Sequence, residues 1–199
     1  MRYYFIDTLG DLASGYCILT SPPEGLGLSF YKMANGERVG AEYPEAARIY
    51  MSEQQPGIKV PSIVGNTQGY LITSGPVKEE IEALCAGVDV EYLPFTLYNH
   101  KRRPTSGELF IINPIGSRDC LDMEASAIEY LDAPGDPYDR AIVGVDRFVL
   151  TPEKLGGAPS LFRVREEPNR YVLDERLADR LRARGLSNLI LTEIEQSRR

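Results

Sequence analysis

The chain has 199 residues with 29 acidic and 22 basic side chains, which give a formal net charge of −7. This charge argues against general affinity for nucleic acid or anionic membranes, and no apolar run approaches the length of a membrane span. The cysteines Cys17, Cys85 and Cys120 are odd in number and widely spaced, which favours reduced thiols in the cytoplasm over a disulfide framework. The length suits one globular domain over residues 1–199.

The first third of the chain predicts short elements separated by turns. Residues 3–8 and 16–20 read as strands, and the alternating apolar residues at 26–30 indicate a third strand within a segment rich in Pro and Gly. Residues 44–51 predict a short helix with Pro44 in its first turn. The brief apolar run at 60–64 precedes the first strongly patterned unit.

Two strand–helix–strand units follow, centred on helices that begin after Ser74 and Asp174. Both residue types are good helix N-caps, because their side-chain oxygens accept from free amides of the first turn. The helix positions match at a constant offset of one hundred residues, so we interpret the units as an internal repeat. The matched pairs are Val77 with Leu177, Ile81 with Leu181, and Val90 with Ile190. A duplicated C-terminal lobe at 67–199 would then follow a variable N-terminal lobe at 1–66.

The remaining segments complete the prediction of the fold. Residues 109–112 indicate a strong strand, with 117–123 as its hairpin partner, and 141–145 and 148–150 indicate two more strands. Residues 151–155 resemble a single helical turn. Strand signals outnumber the two helices, which predicts an α+β class with a mixed, mostly antiparallel sheet and two helices in repeated strand–helix–strand units.

The sequence predicts no catalytic centre of a usual kind. His100 is the single histidine and lies beside the basic run at 101–103, without a carboxylate or cysteine neighbour, so both are interpreted as parts of a solvated loop. The sequence therefore predicts neither a histidine-based triad nor a common zinc site. Neither phosphate-loop fingerprint is present, and Cys85 falls on the apolar side of a helix. We predict no cofactor and no metal.

The carboxylates Asp119, Asp122 and Glu124 form a small acidic group. A metal or acid–base site is one interpretation, and a solvated strand edge or a hydrogen-bonded turn is the favoured one. The sequence thus leaves a small carboxylate-dependent enzyme open as an alternative, and a host adaptor or binding domain as another.

Several segments resemble bacterial immunity proteins of polymorphic toxin systems, a myxobacterial-type domain formerly of unknown function. They are residues 109–113, 119–126, 161–164, and 171–177 with Gly185 and Leu186. The resemblance spans roughly residues 60–194 and leaves 21–57 unplaced. It implies a non-catalytic protein that binds and neutralises a cognate toxin, often one delivered by contact-dependent or type VI secretion. It implies no catalytic residues.

The acidic loop at 132–139 is the predicted contact with that toxin. Its residues Asp132, Asp136 and Asp139 would face a basic surface of the kind that nucleic-acid-attacking toxins need to hold phosphates. Tyr138 would add an aromatic anchor. The expected partner is therefore a toxin with a basic contact face.

Overall fold

The computed structural model describes residues 1–131 and 141–197, and within these it forms an α+β fold with three α-helices. The helices are α1 (Phe30–Asn35), α2 (Gly75–Leu84) and α3 (Glu175–Ala183). The first seven strands are β1 (Tyr3–Ile6), β2 (Ile18–Leu19), β3 (Arg48–Tyr50), β4 (Ile63–Asn66), β5 (Leu71–Ser74), β6 (Val90–Tyr98) and β7 (Leu109–Pro114). The others are β8 (Ala127–Tyr130), β9 (Ile142–Arg147), β10 (Val149–Leu150), β11 (Leu161–Arg163), β12 (Tyr171–Asp174), β13 (Leu191–Glu193) and β14 (Glu195–Gln196).

The strands form a large mixed sheet, a smaller antiparallel sheet and two strand pairs. The large sheet has the order β2-β4-β5-β7-β6-β3, with parallel pairs at its two ends and antiparallel pairs between them. The second sheet has the order β11-β12-β1-β13 and is antiparallel throughout. The pairs are β8 with β9, which is antiparallel, and β10 with β14, which is parallel. Antiparallel pairing therefore dominates, as the sequence predicts.

The two strand–helix–strand units have matching strand pairings. In the first unit β5 and β6 both pair with β7, and in the second unit β12 and β13 both pair with β1. The backbone contacts before the helices also agree, since Ser74 N donates to Ser62 O at 2.9 Å and Asp174 N donates to Ser160 O at 3.0 Å. The units differ in the chain position of the strand that lies between their two strands. In the first unit this strand is β7, which follows the unit in the sequence, and in the second unit it is β1, which precedes the unit.

The helices α2 and α3 lie side by side over a core that both units share. Each helix turns its apolar side inward, so Val77, Ile81, Leu177 and Leu181 are at most 1% exposed. Their polar sides meet at Glu80, which accepts from Arg180 Nη1 at 3.2 Å and from Arg184 Nε at 2.7 Å. The strand β1, from the predicted N-terminal lobe, lies in the second sheet between β12 and β13 of the predicted C-terminal lobe. The division into lobes at residue 66 stays a prediction.

The cap positions follow the prediction unequally. Asp174 accepts from Leu177 N at 2.9 Å, as an N-cap carboxylate should. Ser74 occupies the same position before α2, but its side chain makes no capping hydrogen bond. The helix α2 instead has Pro76 in its first turn, which is favourable there because that residue needs no amide partner.

Three predictions of local structure are wrong. Residues 44–51 contain the strand β3 instead of a helix, because Ile49 is buried and pairs with Leu97 on β6. Residues 26–30 form a 3-10 turn that leads into α1, a third helix that the pattern did not predict. Residues 117–123 are not the hairpin partner of β7, because β5 and β6 already occupy both of its edges. That segment instead makes bridges to Val164 and Leu150.

A fully buried arginine joins the two sheets. Arg163, on β11, is 0% exposed, and its guanidinium lies 4.2 Å from the centre of the Tyr171 ring. Its hydrogen bonds go to the carbonyl oxygens of Met33, Ala34, Pro114 and Pro168, the side-chain oxygen of Asn113, and the Tyr171 hydroxyl. The Asn113 amide donates in turn to the buried carboxylate of Glu91 at 2.9 Å. The cation is thus surrounded by neutral oxygens and linked to a carboxylate through one amide.

Candidate partner-binding surface

The β8–β9 hairpin is the most exposed sheet among the described residues. Its strands pair antiparallel, with Ile128 opposite Val145 and irregular register on both sides of that pair. The end of the hairpin that is farthest from Val145 carries exposed apolar side chains. Tyr130 is 41% exposed, Leu131 53% and Val143 58%. Large apolar side chains grouped at an exposed tip are typical of a protein-binding surface.

The opposite end of the hairpin is fixed to the body of the protein. Val145 is 6% exposed and packs in the core formed by the second sheet and its neighbours. Its amide donates to Glu167 Oε1 at 2.8 Å, and Arg147 Nη2 donates to Ala125 O at 2.7 Å. The end of the hairpin near Val145 is therefore fixed to the core, and the end near Tyr130 is exposed to solvent.

The predicted contact residues Asp132, Asp136, Tyr138 and Asp139 lie outside the described residues. The residues that bracket them are described, and Leu131 N donates to Ala141 O at 2.8 Å. The described residues on either side of the acidic segment are therefore hydrogen-bonded to each other at the end of the hairpin. The sequence analysis predicts β9 but not β8, although the alternation of Ile128 and Tyr130 before residues rich in Pro and Gly is a usable hairpin signal.

The second group of predicted residues has structural partners. Asp119 accepts from Lys154 Nζ at 2.8 Å and pairs with Arg165 Nη2 at 2.7 Å. The hydrogen bond from Lys154 is the main reason that the pKa of Asp119 lies below its ordinary value. The Asp119 carboxylate therefore connects its own segment with those that carry Lys154 and Arg165.

The neighbouring carboxylates, Asp122 and Glu124, lie in a turn and at the surface. Asp122 accepts from Ala125 N at 3.0 Å and from Glu124 N at 3.2 Å, so it forms a hydrogen-bonded turn. The Ala125 amide is the largest cause of the lowered pKa of Asp122, and Glu124 is exposed. Within residues 1–131 and 141–197, no group of His, Cys, Asp and Glu side chains is arranged to hold a metal ion.

The cysteines pack in the interior, as predicted. Cys17, Cys85 and Cys120 are free and at most 3% exposed. Burial raises the pKa of Cys17 and of Cys85 to about 11 and that of Cys120 to about 12. All three thiols are therefore protonated and weakly nucleophilic at neutral pH.

His100 is exposed, as predicted, and it also has a structural contact. Its Nε2 lies 3.0 Å from Ser52 O and 3.1 Å from Gln55 O, so it joins two loops. In this arrangement the Nε2 atom carries the proton and donates to the carbonyl oxygens. The imidazole therefore has a structural role in the loop.

A comparison with protein-family models matches residues 12–196 to the description "Immunity protein family (Imm11)". The chain belongs to this family. The resemblance found in the sequence is thereby confirmed, and it extends to residues 21–57, which had matched nothing. Imm11 proteins are immunity proteins, a typically non-catalytic class. A comparison with curated proteins finds no match. In the part of this Imm11 chain that the structure describes, every helix is too short or too polar to cross a lipid bilayer.

Proposed function

We propose that this Imm11 protein protects its cell by binding a cognate toxin and blocking it, without catalysing a reaction. The family match over residues 12–196 is the observation that carries this proposal. The contacts of Asp119 and Asp122 support it against the carboxylate-dependent enzyme, because lysine, arginine and backbone amides already occupy these groups. A host adaptor domain has no observation in its favour.

The β8–β9 hairpin and the acidic segment between its strands are the proposed contact with the toxin. Asp132, Asp136 and Asp139 would attract a basic surface, and Tyr138 would pack against it. The exposed side chains of Tyr130 and Leu131 at the tip support this choice, because an interface needs an apolar centre as well as charge. A toxin that cleaves nucleic acid is the proposed target class, since its substrate-binding surface is basic.

The location and the delivery route belong to the same proposal. Three free thiols fit the reducing cytoplasm, which is where an incoming toxin would act. Contact-dependent or type VI secretion from a neighbouring cell is the proposed source of that toxin.

The test is protection from, and binding to, the toxin encoded by a neighbouring reading frame. We expect the protein to restore growth when both are produced together, and the purified proteins to associate faster at low salt. Replacing Asp132, Asp136 and Asp139 by Asn should slow association about tenfold at low salt, because long-range attraction is removed. The matched control replaces three exposed glutamates, Glu45, Glu79 and Glu195, by Gln and should leave the on-rate within about twofold.

Two results would contradict the proposal at different levels. An on-rate that ignores both salt and the triple Asp→Asn change would refute the acidic contact, while leaving the immunity function intact. Failure of the wild-type protein to bind or protect against the neighbouring toxin would refute the function for that pair.

A further inference from the structure

A second exposed surface lies on the outer side of the β3–β6 edge. The two strands run parallel with Tyr50 opposite Tyr98, and β3 ends the large sheet. Ile49 points into the core, so Arg48 and Tyr50 on either side of it point outward. The rings of Tyr50 and Tyr98 lie 5.2 Å apart between centroids and are tilted by 35°. This edge therefore presents a pair of half-buried aromatic rings.

Two guanidinium groups cover these rings. Arg102 lies 4.6 Å from the centre of the Tyr50 ring, and Arg48 lies 6.0 Å from the centre of the Tyr98 ring. The Arg102 side chain is 67% exposed, so the group stacks on the ring while its N–H donors stay in water. We name Arg48, Tyr50, Tyr98 and Arg102 the stacked-arginine face.

The loop that carries Arg102 is held in a fixed shape. Asn99 Oδ1 accepts from Lys101 N at 2.9 Å and from Arg103 N at 3.1 Å, and Arg102 N donates to Asn99 O at 2.8 Å. Arg102 has φ of +56°, a left-handed conformation that is uncommon for a residue with a side chain. The hydrogen bonds of Asn99 maintain this conformation, which places Arg102 over Tyr50.

The charge around this face is opposite in sign to that of the whole chain. Arg48, Lys101, Arg102 and Arg103 are all exposed, and the carboxylates that contact this face include Glu24 and Glu53. Glu53 lies 3.7 Å from Arg102 Nη2 and is itself 81% exposed, so the pair is loose and open to exchange. Glu24 accepts from the Tyr50 hydroxyl at 3.3 Å. The face is therefore a positive region on a protein of net charge −7.

We propose that the stacked-arginine face binds an acidic segment of a protein partner, with Asp or Glu carboxylates placed against Arg102 and Arg48. A guanidinium binds a carboxylate through two parallel hydrogen bonds, and Arg102 lies within cation–π distance of the Tyr50 ring. Tyrosine and arginine are also the residues that dominate binding energy at protein interfaces. This inference does not rest on the toxin-binding proposal and concerns a different surface.

Carboxylates are favoured over nucleic acid because of the aromatic rings. Tyr50 already contacts the Tyr98 ring and the Arg102 guanidinium, whereas single-stranded nucleic acid needs free aromatic faces for its bases.

The experiment titrates the full-length protein with two fluorescent probes of similar charge, hexaglutamate and a short oligothymidylate, at low ionic strength. We expect hexaglutamate to bind more tightly than the oligonucleotide and to be released by salt. Arg102→Gly should weaken hexaglutamate binding about tenfold, and Arg48→Ala should also weaken it. Glycine tolerates a positive φ, so Arg102→Gly should fold as stably as the wild type, which a thermal melt will check.

Arg170→Ala is the matched control. Arg170 is exposed and stacks over Phe5 at 5.7 Å and Phe148 at 5.8 Å, but it lies on the second sheet's side of the protein. Its loss should leave hexaglutamate binding unchanged. The proposal is overturned if hexaglutamate does not bind, if Arg102→Gly binds it as well as Arg170→Ala does, or if the oligonucleotide binds more tightly through Arg102.

Discussion

Replacing Arg163 by Met tests how the two sheets are held together. The change keeps most of the length of the side chain and removes the buried guanidinium. Six hydrogen bonds disappear with it, and they connect β11 to the end of α1, the end of β7, the loop at Pro168 and the strand β12. The carbonyl oxygens of Met33 and Ala34 lie at the negative end of α1, where a cation is favourable.

The expected loss follows from the groups left behind. A buried acceptor that loses its donor costs about 1–3 kcal/mol, and at least Met33 O, Pro114 O and Asn113 Oδ1 lie in buried contacts with Arg163. Methionine recovers part of this, because the cost of burying a cation is removed. We therefore expect the free energy of unfolding to fall by about 3–5 kcal/mol, which is the cost of three unsatisfied acceptors less the recovered cost of burying a cation.

Urea denaturation followed by far-UV circular dichroism measures this loss. Arg103→Met is the matched control, because Arg103 is exposed and lies in a surface loop. That change should cost less than about 1 kcal/mol. Equal losses for the two variants, or a loss below about 1 kcal/mol for Arg163→Met, would refute the reasoning.

Two further predictions concern the helix caps and a surface carboxylate. Asp174→Ala should lower the free energy of unfolding by about 2–4 kcal/mol, since it removes the acceptor for Leu177 N, for Ser160 Oγ and for the Arg176 guanidinium. Ser74→Ala, which removes no capping bond, should cost less than about 0.5 kcal/mol in the same urea assay. Equal costs at these positions would contradict the observed capping. The hydrogen bond from Lys154 lowers the pKa of Asp119 in the folded state. The ionised carboxylate therefore contributes to the free energy of unfolding, by less than about 1 kcal/mol because the group is exposed. This contribution is present above about pH 4 and is lost as the pH falls through the lowered folded pKa. Wild type and Asp119→Asn should therefore differ in stability at pH 7 and converge in acid, and a difference that grows in acid would rule out the assigned sign.

Local patterns in the sequence predicted the parts of the fold that depend on near neighbours. The helix α3 is the clearest case, because Asp174 caps it and Leu177 and Leu181 form its buried side within one turn of each other. The segment at 44–51 shows the limit. Its helical signals are local, while the burial of Ile49 depends on pairing with Leu97, far along the chain. Long-range pairing decided that segment.

The candidate surfaces show the same division. The acidic residues of the segment at 132–139 are evident in the sequence, but the neighbouring strand β8 has only four residues and a weak pattern. The basic run at 101–103 was interpreted as a solvated loop, which its exposure supports. Its stacking on Tyr50 depends on the parallel pairing of β3 with β6 and on a positive φ at Arg102. Neither property leaves a signal in the local sequence.

The position of β1 determines when the second sheet can fold during synthesis, because its partners β12 and β13 are translated last. Arg2, beside β1, contacts Glu175, which is 173 positions later in the chain. At about 5–20 residues per second, a ribosome needs roughly 10–35 s to make that stretch. The apolar strand Tyr3–Ile6 must wait for β12 and β13 during this interval, so the second sheet assembles only after translation has passed residue 193. Chaperone binding to nascent chains should therefore concentrate on this early strand, and a prematurely ended chain would lack the strands that enclose it.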